Sequence, residues 1–234
     1  MSLKPIKKSD ANKPWATYND RKRARRQERQ YILVASEDKK SSIYYFNALS
    51  DRLNAHSAKI GVIPKGGGRN TQSLVNYVKK HKRKWLEEVQ RDVDIDAFNE
   101  IWILFDRDGF PKHKFDNAIR SAESKVNGVH VAWSNECFEL WYLLHFKDVT
   151  TPIARKNIYS ELTAFLKLKH SYEKYKGDEG VDMHSKMANN RDIGKAIKRA
   201  KRLHNNAAQV VPHAANPCTL VYKLVEKLRS QIED

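Results

Sequence analysis

The 234-residue chain is poor in cysteine: Cys137 and Cys218 are the only two. That is too few for a disulfide framework or a zinc cluster, and it points to a reducing, cytoplasmic location. Long apolar runs are absent too. Nothing approaches the roughly 18–20 consecutive apolar residues that cross a bilayer, and the N-terminus lacks the apolar segment of a secretory signal. No membrane partner is expected. The nine histidines show no HxxxH or similar metal-ligand spacing, leaving only His145 and His213 as candidates for testing. No internal repeat or extended low-complexity tract is present. Acidic residues are the remaining shortage: 28 against 44 basic ones, a formal charge of +16 and a pI near 9.7. Such an excess attracts polyanions, nucleic acid first and an anionic surface second.

Hydrophobic residues still make up 40% of the chain despite a mean hydropathy of −0.74. That suffices for one α/β core with a helical elaboration, or at most two small domains. Residues 1–29 carry ten basic and three acidic residues, so +7 of the charge lies there. With few apolar residues the segment reads as a flexible arm that contacts phosphates through Arg21, Lys22, Arg23, Arg25 and Arg26. The alternative is a solvated leader.

The most informative stretch is Glu100-Ile-Trp-Ile-Leu-Phe-Asp-Arg-Asp-Gly-Phe-Pro111. Five apolar residues in a row, closed by Asp106, Arg107, Asp108 and Gly109, predict a strand buried on both faces. Ligands in α/β sheets bind at the carboxyl ends of strands. Asp106 and Asp108 there could converge on a hard cation such as Mg²⁺ or Mn²⁺, or could simply end the strand as turn residues.

Three further strands are expected: Tyr31–Ala35, Lys59–Ile63 and Gly128–Trp133. Helices are expected over about 40–53, 71–90, 114–126 and 137–146 from their apolar periodicity. Lys65, Gly66, Gly67, Gly68 and Arg69 lie between the second strand and its helix. They could form a phosphate-binding nest or a plain turn. They are not a Walker loop, since no Gly-Lys-Ser/Thr opens the helix. The helix at 137–146 is almost wholly apolar, which makes Glu139 unexpected: a buried carboxylate needs a cation or an Arg partner, although an acid also suits a helix N-terminus.

From residue 151 the pattern turns helical, over about 152–168, 187–205 and 218–232. Lys195, Lys198, Arg199 and Arg202 put a basic face on the middle helix. A solvated face is one reading of it; contact with a nucleic-acid backbone is the other.

Four strand–helix alternations from Tyr31 to Phe146 argue a parallel sheet covered on both faces. The expected organisation is a basic arm at 1–29, an α/β core at 30–148 and a helical C-terminal elaboration at 149–234. Such a sheet brings Glu37, Asp106, Asp108 and Glu139 to one edge. A Glu after the first strand plus Asp-x-Asp after a later one resembles the Toprim domain of topoisomerases, primases and related nucleases.

Three blocks sharpen the likeness. Val34-Ala-Ser-Glu-Asp-Lys-Lys-Ser-Ser-Ile-Tyr-Tyr-Phe46, Phe105-Asp-Arg-Asp-Gly-Phe-Pro111 and Ala132-Trp-Ser-Asn-Glu-Cys-Phe-Glu-Leu-Trp-Tyr-Leu-Leu-His-Phe146 resemble the motifs of the RloB-like family of abortive-infection proteins. Asn216–Val225 resembles the family's closing helix. The likeness covers about residues 30–230. Two departures stand out. Asp38 and Ser42 occupy positions where the family has Gly and a second acid, leaving one metal or two open, with Asp38 as a substitute ligand. Glu136 stands where Pro is usual.

The resemblance implies a Toprim-like, Rossmann-like α/β fold and a metal-dependent nuclease used in phage defence, often encoded beside an ATPase partner. By the same likeness Glu37 is the general acid/base or a further ligand and Lys40 stabilises charge on the phosphate. Asp106 and Asp108 would hold the metal, with Glu139 as ligand or support. Two other readings are a non-catalytic nucleic-acid-binding module and a defence sensor that acts through its ATPase.

Overall fold

The computed structural model describes residues 30–38, 40–55, 60–66, 71–91, 98–124, 129–176, 186–187 and 192–230. The chain alternates β1 (Gln30–Ser36), α1 (Ser41–Ala55), β2 (Ile60–Gly66), α2 (Thr71–Val89), β3 (Glu100–Asp106), α3 (Lys112–Glu123) and β4 (Val129–Asn135). Then follow α4 (Glu139–Phe146), α5 (Arg155–Phe165), the single turn α6 (Tyr172–Tyr175), α7 (Ile193–Asn206), β5 (Cys218–Thr219) and α8 (Val221–Arg229). The strand order is β2-β1-β3-β4-β5. β1 pairs in parallel with β2 and β3, and β3 with β4.

Ile32–Ala35 and Ile101–Phe105 are buried throughout, as expected of parallel strands covered on both faces. Helices supply the cover. α1 buries Tyr45, Phe46, Leu49 and Leu53; α2 buries Leu74, Val75, Val78, Trp85 and Val89. Leu86, expected on the inner face of α2, is only partly buried, and Trp85 takes its place. α4 is buried along its length except at Phe146, and Tyr45 sits among Phe46, Phe138, Trp141 and Tyr142 at centroid distances of 5.2–6.4 Å.

Two expectations need correction. The sheet has five strands rather than about four, because Cys218 and Thr219 pair antiparallel with Asn135 and Ser134. The last helix therefore starts at Val221, not 218. Second, β2 runs on through Pro64 and Lys65 to Gly66, opposite Val34, Ala35 and Ser36. Gly66 is a strand residue, and Gly67, Gly68 and Arg69 lie outside the described residues. Among the described residues no helix is long and apolar enough to cross a membrane.

Candidate active site

The chain leaves β1, makes β2 on one side of it, then crosses to make β3 on the other. The carboxyl ends of β1 and β3 therefore flank the point where the winding reverses, the usual place for a ligand in an open α/β sheet. Glu37 follows β1 directly, and its N–H donates to the Leu104 carbonyl at 3.0 Å. Asp106 ends β3, and Glu139 enters from the first turn of α4. A cavity of about 10 Å³ lies here, lined by Ser36, Glu37, Asp38, Ser42, Asp106 and Phe138 among others. That is room for roughly one water-sized occupant.

The three carboxylates feel one another. Enclosure by protein pushes Asp106 well above the usual carboxylate range, and the Glu139 and Glu37 charges push it the same way. A bond from the Phe138 N–H and the positive charge of Arg155 oppose this without cancelling it. Glu139 is only 3% exposed. Ser41 Oγ donates to its Oε1 at 2.9 Å, and Lys176 Nζ lies 4.0 Å from the same oxygen. Burial, with Glu139 and Asp106 nearby, also raises the Cys137 thiol well above its ordinary value, so it stays protonated and unreactive.

Asp38 lines the cavity and is also engaged as a helix cap. Its Oδ1 accepts from the Lys40 N–H at 2.8 Å and its Oδ2 from the Ser42 N–H at 3.0 Å, capping α1. Where the family motif has a second acid, the Ser42 hydroxyl lies 2.6 Å from Ser36 Oγ.

Asp108 lies one turn away and faces differently. Its carboxylate is paired with Arg155, at the start of α5. Its backbone is left-handed, with φ 39°, a region Asp tolerates better than most residues. The turn is held by the Arg107 guanidinium, which donates to the Asp108 and Phe110 carbonyls. Asp106 and Asp108 share a strand end, and the charges of both act on Arg155. Among the described residues no group of three His, Cys, Asp or Glu side chains is drawn together tightly enough to hold a metal ion. The donors are nonetheless of the right kind. Hard carboxylate oxygens suit Mg²⁺ or Mn²⁺, and a cation would offset the burial and the neighbouring charges that raise Asp106.

A family model described as RloB-like protein matches residues 32–228. The chain belongs to the RloB-like family. No curated protein and no solved structure matches it. The RloB-like region runs from within β1 to within α8, so the sheet, the carboxylates and the C-terminal helices all fall inside it.

The residues expected to bind nucleic acid in this RloB-like chain, together with Lys40, expected to stabilise charge on the phosphate, fall into three groups, Gly66 apart. Arg21, Lys22, Arg23, Arg25, Arg26, Gly67, Gly68 and Arg69 lie outside the described residues. Lys40 and Lys198 are exposed. Lys65, Lys195, Arg199 and Arg202 are engaged within the protein. Lys65 Nζ pairs with Glu88 at 3.1 Å, and Lys195 with Asp192 at 2.6 Å. Arg199 donates to the Leu144 carbonyl at 2.7 Å and, with Arg202, pairs with Asp148, tying α7 to the end of α4.

Sequence reasoning missed Arg155, Lys176, Ser41 and Tyr159. Ser41 was findable, since it lies in the first motif. Arg155 and Lys176 stand in ordinary helical and loop sequence, and only the packing of α5 and α6 against α4 brings them to the carboxylates. Lys176 Nζ also donates to Tyr159 Oη at 2.8 Å.

Proposed function

We propose that this RloB-like protein is a divalent-metal-dependent phosphodiesterase acting on nucleic acid, serving as a Toprim-like nuclease in phage defence. One observation carries the reading: Glu37 and Asp106 line one small cavity at the reversal point of the sheet, with the buried Glu139 close enough for its charge to act on Asp106, in a chain of charge +16. Three mutually repelling carboxylates are costly without a cation, and a strongly basic protein that keeps such a cluster has reason to meet a phosphate there.

Asp106 and Glu139, joined by Asp108 once Arg155 releases it, are the residues that would hold Mg²⁺ or Mn²⁺. When bound, the ion supplies charge neutralisation at the scissile phosphate and a water of lowered pKa. Glu37, beside Asp106, takes or returns a proton at its carboxylate. Ser41 fixes the Glu139 rotamer through its 2.9 Å bond. Lys40, exposed at the entrance of α1, meets the negative charge of the approaching backbone. Asp38 holds the helix that carries both.

The Asp108–Arg155 pair and Ser42 at the second-acid position favour a rival, a nucleic-acid-binding module without catalysis. The double substitution Asp106→Ala with Asp108→Ala separates the two. Metal-dependent cleavage of labelled DNA and RNA by the wild type, abolished in the double variant while binding persists, supports the enzyme. Binding by both proteins with no cleavage by either, with or without an ATPase partner, supports the module.

A further inference from the structure

Beside the carboxylates lies a second and much larger concavity that the proposed chemistry does not use. It is an open groove of about 890 Å³ along α5 and the turn that follows it. That is towards the top of the range for ligand clefts, roughly 300–1,000 Å³. Among the described residues four cations line it, Arg155, Lys156, Lys167 and Lys169, against the single carboxylate of Glu173. Between them the accessible wall is formed by Ala164, Leu168 and the exposed ring of His170, with the buried Tyr159 at its base. Two contacts tie it to the acidic site. Arg155 lines the groove and pairs with Asp108. Tyr159 also lines it and accepts from Lys176, which lies 4.0 Å from Glu139.

Lys167 adds an independent sign. α5 ends in a Schellman motif: the Lys167 N–H donates to Ala164 O at 3.1 Å and the Leu168 N–H to Thr163 O at 3.0 Å. The residue at the left-handed position of that motif is usually glycine, because a Cβ is strained there. Here it is Lys167, with φ 51°. A strained residue that delivers an ammonium group to a groove is better explained by a ligand than by the fold.

We infer that the α5 groove binds a single-stranded stretch of nucleic acid and feeds it to the carboxylates, with Arg155 exchanging Asp108 for a backbone phosphate. The inference rests on the phosphodiesterase reading and names the form of its substrate. Cations along a concave wall track a phosphate backbone, and ring and aliphatic surfaces between them take unpaired bases. A duplex keeps its bases inside and offers only its convex backbone, so it gains nothing from that wall.

The test is fluorescence anisotropy of a short labelled single-stranded oligonucleotide on the full chain in EDTA, as a function of salt. The variants are Lys167→Gly, the exposed Lys169→Ala and the two combined. Each lysine removed should weaken binding several-fold and flatten the slope of log K against log salt by about 0.7, so by about 1.4 for the pair. Lys167→Gly should do so with a thermal midpoint at or above that of the wild type, a combination that loss of structure does not produce. Unchanged slopes would overturn the inference. So would a duplex that binds as tightly as the single strand, or polyglutamate that displaces the oligonucleotide as well as unlabelled oligonucleotide does. The assay needs neither metal nor cleavage. Groove binding without any cleavage would therefore sink the enzyme reading alone, and Asp106-dependent cleavage with unchanged slopes would sink the groove alone.

Discussion

His145 Nδ1–H donates to the Trp141 carbonyl at 2.9 Å, and among the described residues its buried Nε2 has no hydrogen-bond partner. Burial pushes its pKa down from 6.5 to about 4, against smaller opposing effects of the Trp141 and Tyr142 backbone and of Asp192. The sign follows from proton binding. The unfolded chain takes up a proton below pH 6.5, whereas the folded chain does so only near 4. Stability from this group is complete above pH 6.5 and falls as pH drops towards 4, by up to about 3 kcal/mol. Urea unfolding at intervals between pH 7 and pH 4 should show a shallower acid limb for His145→Gln than for the wild type. Parallel limbs would show that His145 titrates normally in the fold. Helix α4 accounts for Nδ1 of this ring. His213 is likewise accounted for, with its Nδ1 2.6 Å from Asp116 Oδ2.

At the scale of elements, the entrance to α1 decides how the first motif is used. Asp38 accepts two backbone N–H bonds there, so Asp38→Ala should cost about 1 kcal/mol, and at most about 2. At roughly 2–4 °C per kcal/mol for a chain of this size, thermal unfolding would register a drop of a few degrees. Asp38→Asn should recover part of it, because Asn is also a good helix cap. This is a place where sequence fell short. Glu37, Asp38 and Ser42 sit in one motif, and spacing alone cannot say that Asp38, besides lining the cavity, caps the helix. β3 was legible with its observed bounds, because five apolar residues closed by Asp-Arg-Asp-Gly admit little else. β5 was not: two residues are too short to show alternation, and Pro217 reads as a helix start. The basic face of α7 was seen, but a hydropathy pattern cannot reveal that Arg199 and Arg202 reach Asp148 across 50 residues of chain.

For the whole molecule, the strand order matters more than any one motif. Only the reversal between β1 and β3 brings Glu37 beside Asp106, and only the return of α4 beneath them adds Glu139. Alternation of strands and helices made that edge predictable. The counter-charge at the edge was not, since Arg155 and Lys176 come from a region whose sequence carries no motif. The charge of +16 was legible at once, yet much of it on α7 is spent in internal ion pairs. The α5 groove therefore becomes the described surface where cations outnumber acids next to the carboxylates. The central claim is that these carboxylates together take a divalent cation. Calorimetric titration of Mn²⁺ into the wild type and into Asp106→Asn, repeated with a non-cleavable single-stranded oligonucleotide bound, tests it most directly. The account predicts a saturable heat in the wild type, with or without the oligonucleotide, and its loss in Asp106→Asn. Equal heats in both proteins, or none from the wild type under either condition, would contradict it.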